Sequence, residues 1–332
     1  MKNKVELPLV EPIYSTFHTQ IATATIHSNP TLRNWYLNEV MNLKCNRKFL
    51  SGFSTPSIFV QKSSLYETAC YEKRMFALDF IDGYINYVIR NLLDNGFYIY
   101  FNGLDDYFLE GKTWYNQRHF NHDGVICGYD KEKKTYTVYA YDINWILRKF
   151  EVSQKSFDKS RKYIIKNNKR GHILGFKPKD ELLEFNLQLT LQNLTKYSNS
   201  TMEKYPVDGE GDVFGIIVHN YIAMYIDKLI DGSIPHEKMD WRIYRLIWEH
   251  KKFMLERLLK IEDVLNLDSK ASDEYKKIVN EADRIRMLYA SHHMHRRDSL
   301  LPIIKEKTLH IMNTEKKILT ELITKANEVI EK

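Results

Sequence analysis

A change of hydrophobic period near residue 97 constrains this chain more than any other feature of its sequence. From Lys62 to Leu93 apolar residues suit a helix, best seen at Phe80, Ile81, Tyr84, Val88 and Leu92. Asn95-Gly96 ends that run, with Gly supplying the left-handed cap. After it, short runs rich in aromatic and β-branched residues follow one another: Phe97 to Phe101, His122 to Tyr129, Thr135 to Asp142 and Ile146 to Val152. The polar stretch Asp130 to Lys134 separates the second run from the third, and Ser153 predicts the cap of a short helix through Ile165. Helices followed by consecutive strands point to an antiparallel sheet in an α+β fold, because a doubly wound parallel sheet needs strands and helices to alternate.

Outside this region the helical period dominates. Tyr14 to Ile26 predicts a short helix with Ser15 or Thr16 as cap, and Thr31 to Leu43 a second one starting from Pro30. Beyond Gly171 and Lys177-Pro178 the strand signal stops. Asp180 to Tyr197, Val213 to Ile230, Asp240 to Val264 and Ser272 to Glu331 all favour helix, and Tyr244, Ile247, Met254, Leu258 and Ile261 form one apolar stripe. A chain of 332 residues has room for two domains. The pattern assigns 1–175 to an α+β domain with an antiparallel sheet and 176–332 to an all-α domain.

Composition removes several classes of function. An apolar content of 43% with 28% charged residues is that of a globular protein. The net charge of +6, from 49 basic and 43 acidic residues, is spread along the chain, so no nucleic-acid partner is expected. Three cysteines supply neither a disulfide framework nor a cysteine zinc site. No apolar run approaches ~18 residues and no signal-peptide core follows the basic start, so a cytoplasmic protein without membrane contact is expected. There is no Gly-rich phosphate loop and no G-x-S-x-G elbow, and no cofactor is implied. His292 and His295 lie one helical turn apart without a third ligand at helical spacing. An exposed polar face is expected there, and no metal.

The segment His122-Asp123-Gly124-Val125-Ile126-Cys127-Gly128-Tyr129-Asp130 carries the most chemistry. If the five-residue turn after Tyr129 is symmetric, His122 faces Asp142, Gly124 faces Ala140 and Ile126 faces Val138. A carboxylate opposite the imidazole would accept its N–H, fix its tautomer and stabilise the imidazolium. Gly124 and Gly128 then share a face, leaving room for another segment to approach. A slip of one residue would separate the pair.

Asn121 to Asp130, followed by a strand ending in Tyr141-Asp142, resembles the His-to-Asp hairpin of papain-like cysteine-peptidase folds. More narrowly, it is similar to the family named after the N-terminal domain of butirosin biosynthesis protein H, which includes acyl- and amide-forming enzymes of natural-product pathways. Asp94-Asn95-Gly96-Phe97-Tyr98-Ile99-Tyr100-Phe101 and Leu104-Asp105-Asp106-Tyr107 match its helix-to-strand lead-in, and the likeness covers roughly residues 10–165. The resemblance implies a papain-like domain with His122 as catalytic histidine and Asp142 as its orienting partner. The family's nucleophile is a cysteine opening the first helix, where this chain reads Tyr14-Ser15-Thr16-Phe17-His18-Thr19-Gln20-Ile21 without one. Ser15, Thr19 and Cys45 are the remaining nucleophile candidates. Cys70 reads as a buried helix residue, and Cys127 as facing away from His122.

Taken with the resemblance, these residues imply an acyl- or aminoacyl-transferase that forms an amide or ester from a carrier-bound thioester. His122 would act directly on a small amine or hydroxyl acceptor. The implied partners are an acyl carrier protein, or a carrier-bound thioester, and the acceptor. The alternative is a catalytically inactive papain-fold binding or scaffold protein of such a pathway.

Overall fold

The computed structural model describes residues 2–9, 30–52, 57–60, 71–144, 146–167, 171–179, 183–201, 211–268 and 270–331. The chain opens with β1 (Lys4–Glu6), after which α1 (Pro30–Glu39) runs into β2 (Val40–Asn46). Next come β3 (Ser57–Val60), β4 (Tyr71–Ala77), α2 (Ile85–Asp94) and β5 (Tyr98–Asp105). Three strands follow, β6 (Asn121–Asp130), β7 (Thr135–Tyr141) and β8 (Leu147–Ser153), then α3 (Gln154–Lys166) and β9 (His172–Pro178). The remainder is α4 (Leu187–Asn199), β10 (Asp212–Phe214), α5 (Val218–Ile230), α6 (Ile243–Leu265), α7 (Lys270–His295) and α8 (Leu300–Ile330).

These elements form two compact units. Of the described residues, the first unit holds 2–9, 30–33 and those from 71 to 179; the second holds 34–60 and everything from 183 onward. Residues 34–60 therefore belong with the C-terminal helices, not with the N-terminal sheet.

The first unit is mixed helix and antiparallel sheet. Its strand order is β4-β9-β5-β6-β7-β8, with β1 added against the far half of β6. α2 buries Ile85, Ile89, Leu92 and Leu93 as one stripe, not the expected Phe80, Ile81, Tyr84, Val88 and Leu92: Phe80 and Tyr84 precede the helix and are exposed, and the helix ends at Gly96 with φ of 82°. α3 starts where expected, with Ser153 Oγ accepting the Ser156 amide at 3.1 Å. Phe157 and the α2 stripe pack with Phe101, Ile126, Tyr136, Val138 and Ala140 of the sheet in one core. Each buried Phe, Leu, Ile or Val of this core contributes roughly 1.5–3 kcal/mol.

Two strands of this sheet escape the sequence pattern. Tyr71 to Ala77, expected within a helix, is β4, and His172 to Pro178 is β9, lying between β4 and β5. Glu72, Lys73, Arg74, Met75 and Ala77 favour helix intrinsically, and pairing with β9 overrides that preference. The charges suit an edge strand, whose outer backbone they protect from further pairing.

The β6–β7 hairpin has two registers. Asp130 stays paired with Thr135, and its carboxylate accepts the Glu132 and Lys133 amides at 3.0 Å each, so the turn is four residues long and not five. Gly128 then faces Thr137, one residue off the symmetric expectation. A bulge between Ile126 and Gly128 absorbs the difference, and Ile126 faces Val138 as expected. The two glycines consequently sit on opposite faces. A Cβ on Gly124 would lie 3.1 Å from Ala140 Cβ, whereas one on Gly128 would lie 3.1 Å from Thr137 Oγ1 and 2.6 Å from the Val5 carbonyl oxygen of β1. Thr137 and Ala140 are of opposite parity on β7.

The second unit is not all helix: β10, β2 and β3 form a three-stranded antiparallel sheet. The helix from Pro30 ends at Glu39, and residues to Asn46 continue as strand. The predicted stripe on α6 is buried throughout. Ser272 to Glu331, read as one helical stretch, breaks after His295, where Arg296 adopts φ of 50°. Inside this core Lys251 and Glu315, both fully buried, meet at 2.6 Å, and the hydroxyls of Tyr197 and Tyr275 also donate to Glu315. No described helix is long and apolar enough to cross a membrane.

Candidate active site around His122

The site is built where β5 ends and β6 begins. Asp105 Oδ1 accepts the amides of Tyr107 and Phe120, each at 3.0 Å, and the Asp106 amide donates to the Phe120 carbonyl at 2.9 Å. These bonds close the base of the 107–120 connection and bring two consecutive aspartates against two histidines. Asp105 Oδ2 lies 2.7 Å from His119 Nδ1, and Asp106 Oδ2 lies 3.1 Å from His122 Nδ1. The tight turns after Phe108 then fold Lys112 inward, its amide bonded to the Leu109 carbonyl. Lys112 Nζ reaches 3.2 Å from His122 Nδ1 and 3.5 Å from Asp106 Oδ1.

Asp106 and Lys112 are buried, whereas the His122 side chain keeps 21% of its exposure. The Phe120 ring meets the imidazole edge-on at 5.3 Å, and the Tyr141 ring lies nearly parallel to it at 6.4 Å. Burial pulls the Lys112 ammonium below the usual lysine range, and the Asp106 carboxylate opposes that shift most strongly. His122 Nδ1 has one position for a hydrogen bond, so its two contacts are mutually exclusive. Donating to Asp106 leaves a lone pair on Nε2; accepting from Lys112 puts the proton on Nε2. Among the described residues Nε2 has no hydrogen-bond partner.

No model of a known protein family matches the chain, and no curated protein matches it.

Asp142 does not hold His122, contrary to expectation. Its Oδ1 accepts the Asn144 and Ile146 amides at 2.8 Å each, and Arg148 Nε lies 2.6 Å from its Oδ2. The turn into β8 thus takes the carboxylate that the strand register alone would have offered to the imidazole. Asp142 still borders the site through its backbone carbonyl, which accepts from Thr113 Oγ1 at 3.0 Å.

The cysteine candidates do not suit nucleophilic work. Cys45 lies on β2 in the second unit and pairs with Val213; it is not placed after a helix end. It is 1% exposed, and burial pushes its thiol up to about 12, with Asp212 adding to the shift. Cys127 is the bulge residue of β6; its Sγ–H donates to the Thr137 carbonyl at 3.6 Å, and burial likewise raises it to about 12. A thiol so raised is hardly ever a thiolate at neutral pH. Ser15, Thr19, Thr16 and Cys70 lie outside the described residues.

His292 is buried against His236, ring centroids 5.3 Å apart, and is not part of an exposed face. Among the described residues no group of three or more His, Cys, Asp or Glu side chains is arranged to hold a metal.

Lys112 and His119 carry no signal in the sequence, and Asp105 and Asp106 stand in it only within the hairpin's lead-in, without a role. What points to the two aspartates is the β5–β6 pairing, in which His122 faces Leu104, two residues before Asp106.

Proposed function

We propose that the first unit is a papain-like acyl- or aminoacyl-transferase domain of natural-product assembly, with His122 as general base. Nε2 takes a proton from the acceptor amine as its nitrogen bonds to the thioester carbonyl carbon. The carbon–sulfur bond then breaks, and the leaving thiolate recovers the proton from the imidazolium. The step is redox-neutral and balances without a cofactor. Asp106 accepts from Nδ1 and stabilises the imidazolium, and Lys112 holds Asp106 in place. General-base help of this kind contributes about 10²–10⁴-fold, and positioning of the two reactants adds to it. An acyl carrier protein or carrier-bound thioester and a small amine are the partners this reaction needs.

The observation that carries this reading is the buried Asp106 at 3.1 Å from Nδ1, with Nε2 left open. The raised thiols of Cys45 and Cys127 support direct attack over an acyl-enzyme at either residue. The test is aminolysis of short acyl-pantetheine thioesters by a panel of amines, followed by mass spectrometry. Amide product that falls at least 10²-fold in His122→Ala is expected. Equal product from both proteins overturns the assignment.

One observation favours a second reading, an inactive binding or scaffold protein. Lys112 Nζ at 3.2 Å competes with Asp106 for the same ring nitrogen, and if it prevails Nε2 carries the proton and cannot act as a base. That reading predicts carrier binding that survives His122→Ala unchanged.

A further inference from the structure

We infer that Arg118 is the anion-recognition residue of the His122 site, taking a phosphate or carboxylate carried by the substrate. Arg118 sits in the connection between Lys112 and His122. Its guanidinium carbon lies 3.9 Å from the centroid of the Trp114 ring and 5.3 Å from that of Phe120. Phe120 in turn meets His122 at 5.3 Å, so the guanidinium and the imidazole border the same ring.

The other two cations of the site are neutralised: Lys112 faces Asp106, and Arg148 faces Asp142. Arg118 differs. It is exposed, its contacts are the two rings, and no described carboxylate lies within ion-pair distance of it. A guanidinium stacked on aromatic faces keeps its in-plane N–H groups directed away from the rings, the arrangement that a planar or tetrahedral oxyanion engages through two parallel hydrogen bonds. The stacking also fixes the side chain before the anion arrives, which lowers the ordering cost of binding. A cation held in this way beside the proposed base sets which substrates align with Nε2.

The anion has two possible sources, the phosphate on a carrier arm of the thioester or a carboxylate on the amine acceptor. That assignment rests on the proposed transferase reading; the anion site itself does not.

Inorganic phosphate titrated into the full-length, isotope-labelled protein tests the site directly, with the Arg118 Nε–H and His122 ring signals followed by NMR. Saturable shifts of both signals are expected, at least 10-fold weaker in Arg118→Gln and partly retained in Arg118→Lys. Equal phosphate affinity in Arg118→Gln overturns the inference, as does absence of shifts in the unmodified protein. Kinetics then separate the sources. A KM increase in Arg118→Gln limited to acyl-phosphopantetheine, and absent with acyl-pantetheine, assigns the donor. An increase limited to amino acids over their amides assigns the acceptor, and no selective increase in either pair overturns a role in substrate choice. If Arg118→Gln abolishes phosphate binding while His122→Ala leaves product formation unchanged, the anion site stands and the general-base reading falls.

Discussion

Asp106→Asn isolates the chemical logic of the site, because it changes a charge and a hydrogen-bond acceptor while keeping the side-chain shape. In the native site Nδ1 stands 3.1 Å from the carboxylate and 3.2 Å from the Lys112 ammonium. A hydrogen bond to a charged group contributes about 1.5–3 kcal/mol, and each ~1.4 kcal/mol is a factor of ten. Asp106 therefore favours the tautomer with a bare Nε2 by roughly one to two powers of ten over an uncommitted ring. The amide gives up most of that bias, and Lys112, freed from its ion pair, becomes the stronger partner of Nδ1 and drives the proton to Nε2. Nitrogen NMR of the His122 ring reads this exchange without any substrate. The expected result is protonated Nδ1 in the native protein and protonated Nε2 in Asp106→Asn. Turnover should fall by about 10²–10⁴-fold in parallel. Adding Lys112→Met removes the competing donor and lets the Asn carbonyl accept from Nδ1, so the double variant regains part of the native tautomer. The same tautomer in native protein and single variant would refute the reasoning, as would a double variant no different from Asp106→Asn.

Further predictions concern stability and packing. Glu315→Gln leaves the fully buried Lys251 ammonium without its carboxylate and should destabilise the second unit by about 3–5 kcal/mol. Glu315→Gln with Lys251→Met should recover most of this, as read by hydrogen exchange of α6 and α8; a double variant no better than the single one contradicts it. Below the ordinary thiol value of 9.0, Cys45 is protonated whether folded or not. Between 9.0 and about 12 only the unfolded chain ionises, so stability falls as pH rises, by about 1.4 kcal/mol per pH unit for this thiol. Comparing urea unfolding at pH 8 and pH 10, Cys45→Ala should lose less stability than the native protein, and equal losses would count against burial as the cause. Gly128→Ala sets a methyl against the Val5 carbonyl, at a cost of about 1–3 kcal/mol. Exchange protection at the Leu7 amide, which donates to Cys127 at 2.8 Å, should collapse in that variant, and full protection would show that β1 can give way.

The sequence was most readable where a local pattern decides the outcome. The Ser153 cap, the helix end at Asn95-Gly96 and the strands on either side of the Asp130 turn all follow from neighbours within a few residues, whereas the stripe expected for α2 was misplaced, since Phe80 and Tyr84 are exposed and precede the helix. β4 was hidden because its residues favour helix, and only pairing with β9 makes it a strand. The α7–α8 break was hidden because a non-glycine, Arg296, takes the left-handed conformation there. The site divides in the same way. His122 could be singled out from its strand and neighbours, but its carboxylate could not. The choice of Asp106 over Asp142 depends on the closure of the 107–120 connection and on which aspartate the turn into β8 uses. Neither of these shows in hydrophobic period.

The bonds that close the 107–120 connection separate what the site does from what it does it to. Asp106 directly follows the end of β5 and His122 stands at the start of β6, whereas Trp114 and Arg118 stand on the arch between them. The Asp106 amide to Phe120 carbonyl bond holds the feet of the arch together, so exposed side chains along the arch can be exchanged without moving the histidine from its carboxylate. Substrate preference in such a protein can be rewritten as a cassette, with the sheet serving as a fixed socket.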